Sequence, residues 1–195
     1  KDDYTWNNDA SASFNHLFFS PEVADLIHDA ESWLKMRRWY LDRNLAWRRG
    51  WILHGPGGTG KSSMAKATGR LLGLPVYQFY LNTLSDKEFL DAWSEMNVPC
   101  IALFEDFDNV FHGRESQTDH KSLSFDCVLN QLSGVDAIDG VLLMVTTNYL
   151  DKIDPALGQL TDKGISTRPG RIDRIVYFGE MAEPQRWKMV QKILS

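Results

Sequence analysis

From Pro21 onward, Val23, Leu26, Ile27, Ala30 and Leu34 are spaced to share one face, which predicts an amphipathic helix. From Trp51 the pattern changes to short apolar runs separated by helical segments. Trp51–His54 reads as a strand entering a glycine-rich turn, and a helix follows from about Lys61 to Leu72, stopped by Gly73. Val76–Tyr80 is the next strand. Ser85-Asp86-Lys87-Glu88 has capping-box spacing and predicts a helix to about Met96. Cys100–Phe104 reads as a fully buried strand, Ser122 to Leu132 as a helix ending near Gly134, and Val141–Thr146 as another apolar strand. Arg174–Phe178 is a last short strand, and Glu183-Pro184 opens a final helix, proline being tolerated in the first turn. Strands alternating with helices predict an α/β fold, a parallel sheet with helices on both faces.

The length of 195 residues allows one domain, or one domain and part of another. Residues 1–20 lack periodicity and read as an extended lead-in, 21–50 as a helical approach, 51–180 as the main domain and 181–195 as the start of a further, truncated one. The chain begins at Lys1 without a methionine, so a longer parent is expected. Acidic residues outnumber basic ones, 26 to 21, for a net charge of −5, which argues against a wholly basic nucleic-acid coat. A local basic stretch stands out: Lys35, Arg37, Arg38, Arg43, Arg48 and Arg49, interleaved with Trp39, Tyr40, Leu45 and Trp47. Its plain reading is a solvated or subunit-facing surface. Cys100 and Cys127 have no CxxC spacing and form no disulfide framework, which points to an intracellular, reducing compartment. No apolar run approaches the ~18 residues of a membrane span, so this portion is expected to be soluble. Trp33, Trp51 and Trp93 fit core faces, and His54 reads as packed rather than catalytic.

The chemistry is concentrated in four places. Gly55-Pro56-Gly57-Gly58-Thr59-Gly60-Lys61-Ser62 fits G-x-x-x-x-G-K-[ST] completely. Glycines let the backbone wrap a phosphate, successive N–H groups point inward, and the following helix offers its positive end. Lys61 can reach the β- and γ-phosphates of ATP, and the Ser62 hydroxyl can bind Mg²⁺. The nucleotide-binding set is this loop together with Ser63. The strand Cys100–Phe104 leads into Glu105-Asp106-Phe107-Asp108, at the carboxyl end of a parallel strand where ligands bind in such sheets. By position Glu105 is the magnesium-side acid and Asp106 the acid that activates water. Thr146-Thr147-Asn148 ends another strand, and the Asn148 amide can hold the attacking water or a γ-phosphate oxygen. Arg168-Pro169-Gly170-Arg171 offers two planar cations to a phosphate, here or on a neighbouring subunit. Topology also suggests that Asn82 restrains Asp106.

The order of these four elements resembles the AAA family of ring ATPases, within the AAA+ superfamily. That resemblance implies a P-loop NTPase core with a small C-terminal lid domain, Asn148 as sensor 1, and Arg168 and Arg171 as arginine fingers. The stretches Trp39-Tyr40, Arg48-Arg49-Gly50-Trp51, Gly60-Lys61-Ser62-Ser63, Phe104 to Asp108 and Leu129 to Val135 look like the subgroup of the mitochondrial translocase of complex III assembly, which moves the folded Rieske subunit. Its relatives share the Glu-then-Asp order. Such a likeness implies a homo-oligomeric ring, hexameric or heptameric, a membrane-anchored parent and a protein substrate. The segment Leu81-Asn82-Thr83-Leu84-Ser85 lacks the aromatic-apolar-glycine loop of unfolding AAA proteins, as that subgroup does. One departure concerns the ten residues from Gly158 to Thr167, which separate Asp-Pro-Ala-Leu from Arg-Pro-Gly-Arg, elements that run almost together in the family. Loop-closure entropy makes such an insertion inexpensive.

The expectation is an ATP-hydrolysing motor that remodels or translocates a protein. Two alternatives stay open: a nucleotide-dependent scaffold or switch with slow turnover, and a nucleic-acid remodelling ATPase that uses the basic stretch.

Overall fold

The computed structural model describes residues 21–112, 115–116, 123–134, 137–180 and 183–193; the expected lead-in of residues 1–20 lies outside them. Helix α1 (Pro21–Lys35) and short α2 (Arg37–Leu41) precede β1 (Arg49–His54). Then come α3 (Lys61–Leu72), β2 (Val76–Phe79), α4 (Asp86–Ser94) and β3 (Cys100–Phe104). A two-residue pair, β4 (Phe111–His112) and β5 (Glu115–Ser116), leads to α5 (Phe125–Ser133). The chain continues through β6 (Val141–Thr147), β7 (Arg174–Tyr177) and α6 (Glu183–Ile193).

The main sheet has five parallel strands in the order β2-β3-β6-β1-β7. Strand β1 therefore lies between β6 and β7, and the chain crosses two strands to place β2 at the far edge. The crevice at the carboxyl ends, where the strand order reverses, is the expected ligand position.

Alternation along the strands builds a separate core on each face. Trp51, Leu53, Ile101, Leu103, Leu142 and Met144 pack with α1 and α3 through Val23, Leu26, Trp33, Met64 and Leu72. Ile52, Ala102, Phe104, Leu143 and Val145 face the other way, against Phe89 and Trp93 of α4 and Phe125 and Val128 of α5. That second core is largely aromatic: Phe79, Phe89, Trp93 and Phe104 lie with ring centroids 5.6–6.0 Å apart, within the range where edge and tilted contacts are favourable. Cys100 and Cys127 are free thiols, each pushed up to about 11 by burial.

Local signals account for the element ends. Gly73 closes α3 with φ +65°, a conformation glycine adopts without penalty. The Ser85–Glu88 capping box is formed. Several ends differ from the sequence pattern by one to three residues, among them the start of β1, at Arg49 rather than Trp51. Strand β2 stops at Phe79, because the chain turns into a short 3-10 segment at Leu81–Thr83. Helix α4 stops at Ser94, and Met96 folds back into the core beyond it. Helix α5 begins at Phe125, because Ser124 is its cap: its hydroxyl accepts from the Cys127 N–H while Asp86 holds Ser124 from outside. Ser122 lies outside the described residues.

Much of the basic stretch is consumed internally. Arg49 donates to Asp29 through two nitrogens, Trp51 Nε1 donates to the same carboxylate at 3.1 Å, and Arg174 stands 3.7 Å away. Arg48 pairs with Asp139 at 3.2 Å and donates to the Leu132 carbonyl. Arg37 and Arg43 lie over the Trp47 and Trp39 rings. Burial alone would raise the Asp29 carboxyl, but Arg49, Trp51 and Arg174 outweigh it and hold it below the ordinary 3.8. Its stabilising contribution is thus present above that value and lost as the pH falls below it. Asp29→Ala, which strands the Arg49 charge, is expected to cost about 3 kcal/mol in chemical denaturation at neutral pH; a variant as stable as the parent would show that the cluster is only decorative.

Candidate active site

The P-loop leaves β1 at Gly55, whose φ of +138° and close approach to Phe178 leave no room for a side chain: a Cβ there would lie 2.2 Å from the Phe178 carbonyl oxygen. The Gly55 N–H donates to the Thr147 carbonyl at 3.2 Å, tying the loop to the tip of β6. A Cβ at Gly57 or Gly58 would meet nothing within 4 Å, so the loop's outer side is open. Thr59 closes the turn by donating from its hydroxyl to the Pro56 carbonyl. Gly60 caps α3 in the left-handed region, φ +95°. Ser62, half-buried, and Ser63, exposed, occupy the first turn of α3.

Lys61 is the centre of the arrangement. It is 7% exposed, and its ammonium donates to the carbonyls of Gly55 and Pro56 at 2.7 and 2.8 Å and to Asn148 Oδ1 at 2.9 Å. Burial lowers its pKa, opposed by the carboxylates of Asp106 and Asp108. A buried cation held by neutral oxygens, over an open glycine loop at a helix N-terminus, fits a polyphosphate. The donor set also fits Mg²⁺: a serine hydroxyl from Ser62 and a carboxylate from Glu105 are the hard oxygen ligands that ion prefers.

Asp106 is exposed at φ 47°, ψ 50°, an unusual conformation for a residue other than glycine. Its N–H donates to the Thr146 hydroxyl at 3.0 Å. Glu105 is half-buried and accepts from Gln78 Nε2. Among the described residues the side-chain bond onto the acid pair comes from Gln78 on Glu105; Asn82 is exposed, and no hydrogen bond joins it to Asp106. Gln78 follows β2 alternation and carries no local mark of its role. Asp108, passed over by sequence reasoning, is 4% exposed and accepts from the Thr147 hydroxyl at 2.5 Å and the Asn148 N–H at 3.1 Å. His54 is half-buried and tilted against Tyr177. Burial and the Lys61 cation lower its pKa, which favours the neutral ring.

Lys61, Glu105, Asp106 and Asn148 therefore meet at one end of the sheet. Arg168 and Arg171 do not join them. A Cβ on Gly50 would lie 1.6 Å from the Arg171 carbonyl oxygen, so the Arg-Pro-Gly-Arg turn is seated on the amino end of β1. Asp173 clamps it there, accepting from the Gly50 and Gly170 N–H groups and returning its own N–H to the Gly50 carbonyl. At ~3.3 Å per residue, the run from Gly50 to Gly55 puts about 16 Å between this turn and the phosphate loop of the same chain.

The two arginines differ. Arg168 is exposed. Arg171 is half-buried and donates to the Ala156 carbonyl at 2.6 Å and to the Ser133 hydroxyl; burial and the nearby Arg168 and Arg48 cations lower its pKa. The insertion from Gly158 to Thr167 lies directly beside Arg168. It folds into a hairpin, with Thr167 donating to the Gln159 carbonyl, Thr161 to the Ile165 carbonyl, and a bridge between Leu160 and Ser166. Its two ends return together, so that a Cβ on Gly158 would lie 3.6 Å from Arg168 Cβ.

Residues 51–179 match the ATPase family associated with various cellular activities (AAA). The chain belongs to the AAA family of ATPases. The AAA chain is similar to a probable mitochondrial chaperone bcs1 of Schizosaccharomyces pombe, 34% identical over 171 residues, covering 84% of this chain and 35% of that protein. It is 30% identical over 188 residues to the mitochondrial chaperone BCS1 of Homo sapiens, covering 91% of this chain and 43% of that one. An AAA-ATPase of Arabidopsis thaliana is 31% identical over 182 residues, 87% of this chain and 38% of its own length. The chain thus spans well under half the length of these relatives. The α/β P-loop fold and the likeness to this chaperone group stand as the resemblance implies. Among the described residues no helix is long and apolar enough to cross a membrane.

Proposed function

We propose that this AAA domain is the ATP-hydrolysing motor of a homo-oligomeric ring, hexameric or heptameric, that remodels or translocates a protein, as the chaperone names of its relatives suggest. One observation carries the reading: the phosphate loop and the arginine turn lie at opposite ends of β1. A cation that cannot reach its own chain's phosphates is suited to a neighbour's.

In this reading the P-loop amides and Lys61 hold the phosphate chain of ATP, Lys61 leaving its carbonyl partners for phosphate oxygens. Ser62 and Glu105 would hold Mg²⁺, which supplies charge neutralisation at the β- and γ-phosphates. Asp106 accepts the proton of the attacking water, and Asn148 aligns that water with the γ-phosphorus. Arg168 of the next subunit stabilises charge on the transferred phosphoryl group. Arg171 braces the turn that presents it. Residues 21–50 form the approach to the motor, 51–180 the nucleotide-binding domain, and 181–195 the root of a lid domain. The internal use of Arg48 and Arg49 and the net charge of −5 favour a protein over a nucleic acid as the substrate.

The test is phosphate release by the protein in Mg²⁺-ATP, with assembly followed by sedimentation. Turnover that rises with protein concentration, tracks assembly and vanishes in Lys61→Ala is expected. Assembly that follows ATP occupancy without turnover would replace the motor with a switch. Salt-sensitive stimulation by DNA or RNA would replace the protein substrate with a nucleic acid.

A further inference from the structure

The turn after β3 holds three acids, and the buried one is Asp108. A buried carboxylate is costly unless its oxygens are satisfied. Here Oδ1 accepts two hydrogen bonds, from the Thr147 hydroxyl at 2.5 Å and the Asn148 N–H at 3.1 Å. The other oxygen, Oδ2, has no partner among the described residues. An apolar residue at this position would avoid that cost but would take the acceptor from the Thr147 hydroxyl and the Asn148 N–H, so what the acid does is hold those two donors.

Its contacts converge on one target. Thr147 donates to Asp108 and accepts from the Tyr149 N–H at 3.0 Å, closing a tight turn around Asn148. Asp108 fixes the Asn148 main chain directly. The Asn148 side chain, thus aimed, reaches Lys61 at 2.9 Å. From the other direction Asp106 donates its N–H to the Thr146 hydroxyl at 3.0 Å. The tips of β3 and β6 are therefore laced in both directions. The group proposed to activate water and the group proposed to align it are held by neighbouring threonines of one strand.

We propose that Asp108, acting through Thr147 and the Asn148 main chain, is a positioning residue that aims the Asn148 amide into the phosphate site and keeps it in register with Asp106. This rests on the role given to Asn148 above. Asp108 itself touches neither the nucleotide nor the attacking water. Its loss should therefore slow the chemical step and leave ATP binding nearly intact.

The experiment compares steady-state ATP turnover of Asp108→Ala, Asp108→Asn, Thr147→Val, Thr147→Ser, Asn148→Ala and the double variant Asp108→Ala/Asn148→Ala. Asp108→Ala and Thr147→Val are expected to lose at least about tenfold in kcat, with KM for ATP within about twofold. Asp108→Asn, which keeps an acceptor oxygen, should recover part of the loss, and Thr147→Ser nearly all of it. The double variant should be no slower than Asn148→Ala alone, because residues acting through one group are not additive. If Asp108→Ala slows the Asn148→Ala background by its full factor, or if KM rises as kcat falls, the proposal is overturned. Amide exchange at Asn148, read by NMR without nucleotide, separates this outcome from a failure of the Asn148 assignment. If Asn148→Ala turns over normally, the aligning role fails, while faster exchange in Thr147→Val and Asp108→Ala, with protection kept in Thr147→Ser, still supports the lace. Unchanged exchange in both overturns the proposal whatever the kinetics show.

Discussion

Asp106→Asn is expected to bind ATP as the parent does and to lose about 100-fold or more of its turnover, the range for removing a general base. Asparagine is isosteric with aspartate and tolerates the left-handed conformation that position 106 adopts, φ 47° and ψ 50°. The Asp106 N–H contact to Thr146 is a backbone contact and survives the change. Only the basicity of the side chain is removed. Equilibrium binding of a fluorescent ATP analogue and phosphate release, measured on one preparation, separate the two effects. Near-normal hydrolysis would move the base to Glu105. The exposure of Asp106 and the engagement of Glu105 with Gln78 argue for the assignment made here.

The second large effect concerns the arginine turn. Arg168→Ala is expected to reduce turnover by about 10³-fold or more, as removal of an arginine finger does, without changing nucleotide affinity. Mixing it with Asp106→Asn should restore part of the activity. Where a subunit with an intact phosphate site and acid meets a neighbour with an intact Arg168, the shared site is whole. Two inactive proteins that stay inactive when mixed, under conditions where mixed assemblies form, would refute action between subunits. Arg171→Ala should behave differently. Its guanidinium is bonded within its own chain, to Ala156 and Ser133, so its loss should lower stability by about 1–3 kcal/mol through the partners left unsatisfied. Sequence offers the two arginines as equivalent fingers; in the structure Arg168 is exposed, whereas Arg171 is bonded within its own chain, and the two variants test that difference.

Much of the phosphate site is legible from the chain because its signals are local. Gly55, Gly58 and Gly60 take up positive φ, and Lys61 and Ser62 follow within one turn. The same holds for the caps at Ser85 and Gly73. Alternation along β1, β3 and β6 separates the two cores by period alone. The missed residues share one property, that their partners are distant in sequence. Gln78 and Glu105 are 27 residues apart, Asp108 and Thr147 are 39 apart, and Asp173 and the Gly50 N–H are 123 apart. No window along the chain contains both members of such a pair.

The sequence by itself determined the elements, their alternation and the phosphate loop, because backbone conformation and hydrophobic periodicity are properties of neighbouring residues. It also supplied three acids in a row of four residues without saying which would be buried. Only the tertiary structure decided that Asp106 faces outward and Asp108 inward beneath Asn148, and that Arg48 and Arg49 serve the chain's own carbonyls and carboxylates. It also placed the arginines a strand's length from their own phosphate loop. Those outcomes depend on the strand order β2-β3-β6-β1-β7, which sets β6 between β1 and β3. That order brings Asn148, Lys61 and the acids to one end of the sheet, where charges many residues apart meet.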